Sequence, residues 1–164
     1  MTRRRRQGPV VANDDGTFAL VLDDDERDVL RTFVAQFRDI VAGDRDDPRV
    51  KRLFPTAYAG DAEADEEYRR FMDDELVAAR TAMVDKVESV LDEGARLSDD
   101  ELGSLMVTVN GLRLVLGTLL GVDRDEWEPD FDEDDGDDPR SSQWHLYNWL
   151  GWLLEWIVEA RRPL

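Results

Sequence analysis

The stretch that most constrains the fold is QWHLYNWLGWLLEWIVEA at residues 143–160, which places four tryptophans within thirteen positions. Projected as a helix at about 100° per residue, it carries aliphatic side chains along one line and tryptophans on the strip beside that line. The line consists of Leu146, Leu150, Leu153 and Ile157, with Leu154 beside it, and the strip consists of Trp149, Trp152 and Trp156. A helix that is apolar over about two-thirds of its circumference needs more than one neighbouring helix to cover it. The segment therefore predicts a helical bundle.

Helical spacing of apolar residues, together with caps and terminating glycines, predicts four main helices. They run from Asp23 or Asp24 to Gly43, from about Ala64 to Glu93 before Gly94, from a capping box at 98–101 to about Leu120, and from near Ser142 onward. DPRVKRLFPTAY adds one short helix, since Asp47 before Pro48 is a typical start. PVVANDDGTFALVLD predicts a short N-terminal β-hairpin around an Asn-Asp-Asp-Gly turn. The predicted fold is therefore mainly α, a small helical bundle of four main helices plus one short helix and that hairpin.

Each predicted helix carries an apolar face that we expect in the core. The faces are Leu30, Phe33, Val34, Phe37, Ile40 and Val41 in the first helix; Met72, Leu76, Ala79, Met83, Val87 and Val90 in the second; and Leu102, Leu105, Met106, Val109, Leu112, Leu116 and Leu120 in the third. Residues 121–140 lose this periodicity and are densely acidic, which predicts a mobile loop with Trp127 and Phe131 as attachments to the body. We expect residues 1–8 to form a disordered basic arm and residues 9–164 to form a single helical domain.

The chain carries 39 acidic and 21 basic residues, with a formal net charge of −18. Such a surface repels the phosphates of nucleic acids and anionic membranes. Direct DNA binding is therefore expected only through the arm, where Arg3, Arg4, Arg5 and Arg6 are consecutive. That arm is either solvated or a contact for phosphates or another acidic surface. Because no apolar run reaches the roughly 18 to 20 residues needed to span a bilayer and no signal peptide is recognisable, we expect a cytoplasmic protein without a membrane partner.

The side chains that metal or nucleophilic chemistry needs are scarce. Cysteine is absent and His145 is the only histidine, so thiolate chemistry and the two-histidine patterns of zincins and di-iron helices are excluded. The sequence also lacks a phosphate-binding glycine loop and a Gly-x-Ser-x-Gly elbow, and DEDDGDD lacks the ligand spacing of an EF-hand. We therefore expect no cofactor, no metal and no enzymatic activity.

One arginine, Arg113, interrupts the apolar face of the third helix, with Asn110 and Gly117 beside it. An unpaired guanidinium in a core is so costly that it needs a carboxylate, carbonyls or an aromatic face. Its candidate polar neighbours at the start of the last helix are His145, Tyr147 and Asn148. The group forms either a structural polar core or a site for an anionic ligand.

The tryptophan strip, Trp149, Trp152 and Trp156, has two interpretations. The rings fill a broad groove between helices, or they stay partly exposed and form a homodimer or partner surface, since tryptophan is a frequent interface anchor. A membrane-surface helix fits less well, because the polar edge of this helix is acidic.

Three segments carry a family resemblance: PRVKRLFPTAY at 48–58, NGLRLVLG at 110–117 and HLYNWLGWLLEWIV at 145–158. Over most of its length the chain resembles an actinobacterial domain-of-unknown-function family that includes the actinomycete oxidative-stress regulator (AosR-like), typically encoded near the ClpS adaptor. The resemblance implies a mostly helical, cytoplasmic protein that acts in transcription with an alternative sigma factor, in oxidative-stress or cysteine-metabolism control. The thiol switch ascribed to a regulator of that type cannot operate here, because the chain has no cysteine.

Charge and resemblance together predict a non-enzymatic regulatory protein. An acidic surface suits a basic protein partner, such as a sigma factor or RNA polymerase, better than bare DNA. The alternatives are a small-molecule-binding bundle centred on Arg113 and a purely structural homodimer.

Overall fold

Caps at the predicted positions set where the first and third helices begin. The computed structural model describes residues 8–54, 56–91, 96–122 and 127–162. Its helices are α1 (Asp24–Ala42), α2 (Ala62–Val90), α3 (Asp99–Leu120) and α4 (Pro139–Ala160). Asp23 and Ser98 form capping boxes with Glu26 and Glu101 at the starts of α1 and α3, and α3 ends where Gly121 adopts a left-handed φ of 77°. The prediction of a bundle of four main helices is confirmed.

Two helix boundaries differ from the prediction. Asp138 caps α4 and Pro139 takes its first position, so the helix begins earlier than Ser142. Proline suits that position because its missing N–H would have no partner there. Asp138 is one of several acidic residues shortly before Pro139, so the sequence does not show which of them caps the helix. α2 begins at Ala62, and its predicted end at Glu93 and Gly94 lies outside the described residues.

The predicted hairpin is present and is joined by a further strand. β1 (Val10–Ala12) pairs with β2 (Phe18–Leu20) antiparallel, with Val10 opposite Leu20. β3 (Arg96–Leu97) pairs antiparallel with the other side of β2. β3 was not predicted from the sequence, because two residues are too few to show the alternation of a strand. The short helix is a single 3-10 turn, Pro48–Val50, capped by Asp47 as predicted.

The core lies around α3. All four helices and the sheet contribute to one apolar cluster, and α3 packs against each of the other helices. Of its predicted face only Met106 is half-buried, and the rest is buried. Among the described residues, α3 is also the one helix that is long and apolar enough to cross a membrane. The sequence had predicted no apolar run of that length. However, 56% of that window is buried inside the protein, as is usual for the core helix of a bundle.

Only the C-terminal third of α2 enters the core. Its buried residues are Val84, Val87 and Val90, whereas Met72, Leu76 and Met83 of the predicted stripe are half-buried and Ala79 is exposed. Ion pairs instead connect the earlier part of α2 to the loop before the 3-10 turn, as in Arg45–Asp73 and Arg69–Asp46. The stripe therefore predicts the helix correctly but overestimates its burial.

Candidate functional site

Two of the predicted polar residues meet where α3 crosses α4. The guanidinium carbon of Arg113 lies 4.3 Å from the ring centroid of Tyr147, so the group that this arginine meets is an aromatic face. Gly151, one turn further along α4, makes room for it, because a Cβ there would stand 3.2 Å from Nε of Arg113. Gly117, which the sequence places beside Arg113, is buried at the same crossing, and a Cβ there would stand 2.9 Å from Cγ2 of Val122 and 3.4 Å from Cε2 of Tyr147.

The remaining three members of the predicted polar group lie elsewhere. Asn110, His145 and Asn148 are exposed. His145 faces a groove between α4 and α1. The structure thus brings together an arginine and a tyrosine, and it does not assemble five polar side chains.

Tyr147 also belongs to a stack of rings that the sequence analysis missed. The ring of Trp144 is stacked on that of Tyr147, with centroids 5.7 Å apart, and Trp127 lies 5.0 Å from Trp144. The indole N–H of Trp127 donates to the carbonyl of Leu120, 3.0 Å away, at the end of α3. Trp127 therefore attaches the acidic loop to the body. The spacing of Trp144 and Tyr147 on one helix was the signal for their contact.

The other end of the acidic loop is held by charged contacts. Arg140 at the start of α4 lies over the ring of Phe131, 5.2 Å from its centroid, and pairs with Asp130 and Asp138. Hydrogen bonds from the side chain and backbone N–H of Arg140 lower the pKa of Asp138 below its ordinary value of 3.8. Arg140 and Asp130 are exposed and Asp138 is only half-buried, so the contribution of these ion pairs to stability is small.

The three residues of the tryptophan strip have different environments. Trp156 is half-buried and packs against Gly8, just before β1. Trp149 is half-buried near the start of α4, whereas Trp152 between them is 42% exposed. The strip therefore combines partial packing with exposure, so neither of the two interpretations by itself describes all three rings.

Trp149 lines an open groove of about 490 Å³ between the first turns of α1 and the start of α4, here called the α1/α4 groove. Apolar lining comes from Val29 and Phe33 of α1 as well as from Trp149, and Val29 is 43% exposed. The charged residues that line it are Asp25 and Glu26, both acidic. The α1 half of this groove was not predicted from the sequence. The available signal was Val29, an apolar residue that lies outside the core face of α1 and beside acidic residues.

Two further predictions concern the N-terminal basic arm and metal binding. The basic arm, Arg3 to Arg6, lies outside the described residues. Within the described ranges, no three His, Cys, Asp or Glu side chains are grouped so that they could hold a metal ion.

Comparison with known proteins gives one match. No curated protein and no solved structure matches the chain. The profile of a family described as a domain of unknown function, DUF2017, matches residues 2–161. Because this match covers nearly the whole sequence, the chain belongs to the DUF2017 family of domains of unknown function.

Proposed function

We propose that this protein is a non-enzymatic regulatory protein that acts through protein contacts, and that the α1/α4 groove is its docking surface. The observation that carries the proposal is an open apolar floor whose charged edge is acidic. Phe33 and Trp149 provide the floor, and Asp25 and Glu26 provide the edge. Burying such a floor favours association, and the acidic edge selects the charge of the partner.

The partner segment that fits this groove is an amphipathic helix with apolar residues on one face and lysine or arginine along its border. Helices that dock in grooves use apolar anchors spaced at about one turn. The basic border would meet Asp25 and Glu26, and the net charge of −18 would attract it from a distance. A second copy of this chain fits poorly, because it would bring another acidic surface to the same edge.

The family resemblance of three stretches of the sequence narrows the choice of partner further, to the transcription machinery. We propose a sigma factor or RNA polymerase, in the cytoplasm, in oxidative-stress or cysteine-metabolism control. The support is the similarity of PRVKRLFPTAY, NGLRLVLG and HLYNWLGWLLEWIV to the AosR-like family. Because the chain has no cysteine, regulation would depend on association itself and not on thiol oxidation.

The test is binding of the full chain to purified RNA polymerase core and sigma factors of the source organism, at low and high NaCl. Val29→Ser removes exposed apolar surface from the groove, and Asp25→Lys reverses the charge of its edge. Each should weaken binding by about tenfold, equivalent to about 1.4 kcal/mol. Val107→Ser is the matched control, because Val107 is also an exposed helical valine (37%) but lies on α3.

A synthetic amphipathic helix of leucine and lysine separates the two parts of the proposal. We expect it to bind more weakly to both groove variants, and we expect a leucine–glutamate helix of the same pattern not to bind. Binding of the lysine peptide without binding of any polymerase component would overturn the transcription assignment and leave the docking surface standing. Binding that is unchanged in both groove variants would overturn the docking surface.

A further inference from the structure

A second cleft lies on the other side of α4, apart from the α1/α4 groove. It has a volume of about 410 Å³ and includes Arg113 from α3 and Leu154, Glu155, Val158 and Arg162 along and after α4. We call it the Arg113 cleft. It is independent of the protein-docking proposal, since the two surfaces share no lining residue.

The guanidinium of Arg113 is held in place without a carboxylate. Tyr147 stacks on it at 4.3 Å, and the missing side chain of Gly151 leaves space for its Nε and Cζ atoms. Its Nε is buried and has no hydrogen-bond partner among the described residues. A buried donor without a partner costs free energy. Stacking on an aromatic ring orients the guanidinium but leaves the N–H donors of its two Nη atoms available, because these point outward in the plane of the group.

Arg113 differs in its charge pairing from two arginines that follow α4. Nearby arginines are neutralised: Arg161 pairs with Asp99 through two bonds of 2.9 Å, and Arg162 pairs with Glu159 at 2.9 Å. Arg113 makes no ion pair within the described part of the chain, and neither does Glu155, which lines the same cleft. The cleft therefore presents one cation and one anion that are not neutralised by other described residues.

Apolar surface completes the cleft. Leu154 is half-buried and Val158 is 46% exposed, and both belong to the lining. A ligand that matches these three features needs a carboxylate for Arg113, a cationic group for Glu155 and a small apolar part. A dianion such as phosphate fits poorly, because Glu155 and Glu159 would repel it.

We propose that the Arg113 cleft binds a free α-amino acid with an apolar side chain. The ligand carboxylate accepts hydrogen bonds from Arg113, whose planar fork suits a carboxylate. The ligand ammonium donates to Glu155, and the ligand side chain covers Leu154 and Val158. The carboxylate meets the Nη donors of Arg113, whereas Nε stays buried against Gly151.

The test uses the full chain, isothermal titration calorimetry and three probes: L-leucine, N-acetyl-L-leucine and L-leucinamide. L-Leucine should bind, and removal of either charge, by acetylation or by amidation, should weaken binding by at least about tenfold. Arg113→Gln should abolish the preference for leucine over leucinamide. Glu155→Gln should abolish the preference for leucine over N-acetyl-leucine, which a merely structural role for Glu155 would not do.

Arg70→Gln is the matched control, because Arg70 is an exposed arginine on α2 whose loss should leave binding unchanged. If Arg113→Gln does not fold, Glu155→Gln still decides, since Glu155 is exposed on the surface of α4. Leucinamide binding as tightly as leucine, or no binding of leucine at millimolar concentrations, would overturn the proposal.

Discussion

Gly111 of α3 lies directly against the ring of Phe37 on α1. A Cβ built on Gly111 would stand 2.5 Å from Cζ of that ring, and Phe37 is only 1% exposed. The two helices can approach this closely because residue 111 has no side chain. Phe37 has little freedom to move away, since protein interiors are closely packed.

Gly111→Ala should therefore destabilise the protein, although alanine normally favours a helix over glycine by about 1 kcal/mol. Overpacking of this kind costs about 1–3 kcal/mol, measured as a lower urea midpoint. Gly103→Ala is the control on the same helix, where the nearest atom to a new Cβ is Nη1 of Arg161 at 3.6 Å. It should raise stability by about 0.5–1 kcal/mol. Equal effects of the two substitutions would contradict the close crossing.

The sequence predicted that Phe37 faces the core but not how close Gly111 comes to it. Apolar periodicity shows which side of a helix is buried, whereas the distance between two helices depends on residues far apart in sequence.

The same limit explains why the burial of the arginines was not predicted correctly. Arg113 is conspicuous in the sequence because it interrupts an apolar face, but among the described residues the buried arginine is Arg27, at 6% exposure. Acidic residues flank Arg27 along α1, so the sequence by itself would place Arg27 on the solvent-exposed side of the helix.

The candidate site shows this limit again. Trp149 was identified from α4 alone, and its exposure to a groove depends on Val29 and Phe33 of α1. Such a juxtaposition of distant segments leaves no local pattern. The meeting of Arg113 with an aromatic face was among the predicted outcomes, because the cost of burying a guanidinium restricts its neighbours to a few groups.

Arg27 should be a strong determinant of stability. Its guanidinium donates to the carbonyls of Leu91, at 3.3 Å, and Leu22, at 3.4 Å. Arg27→Met keeps much of the apolar stem but removes the charged donor to the carbonyl of Leu22 and one of the two charged donors to the carbonyl of Leu91, and it should cost about 2–3 kcal/mol. Arg31, which is half-buried and donates to Leu91 at 2.7 Å, provides the comparison. Arg31→Met should cost less in the same urea titration, and the reverse order would show that the burial of Arg27 does not govern its contribution.

Trp127 should stabilise the end of α3 and the acidic loop together. Trp127→Phe keeps a ring beside Trp144 but removes the hydrogen bond to Leu120, which should lower stability by about 0.5–1.5 kcal/mol. A protease that cleaves at aspartate should then cut the loop faster. Trp152→Phe is the matched control, because Trp152 is 42% exposed, and it should change stability by less than about 0.5 kcal/mol. Unchanged proteolysis in Trp127→Phe would contradict the attachment.

Asp138→Asn should alter the acid limb of the stability curve. The pKa of Asp138 is lowered by hydrogen bonds from Arg140. Its negative charge therefore stabilises the folded protein above about pH 3.8, the ordinary pKa of the group, and this contribution is lost as the pH falls through the lowered pKa of the folded state. Asparagine still caps the helix but carries no charge. The wild type should therefore be slightly more stable at neutral pH, and the two urea midpoints should converge in acid. A difference that does not vary with pH would contradict the ionic contribution.

Added NaCl should raise the unfolding temperature of this protein. With 39 acidic and 21 basic residues, the folded chain is destabilised by its own net charge, and the exposed ion pairs that salt would weaken contribute little each.

The Debye length falls from about 30 Å at 0.01 M salt to about 10 Å at 0.1 M, so most of the increase should occur within that interval and then level off. Sodium sulfate at matched ionic strength distinguishes screening from exclusion of salt from the protein surface. Screening predicts that the two salts coincide in the dilute range. A fall in unfolding temperature over that range would mean that pairs such as Arg161–Asp99 outweigh the repulsion between the excess carboxylates.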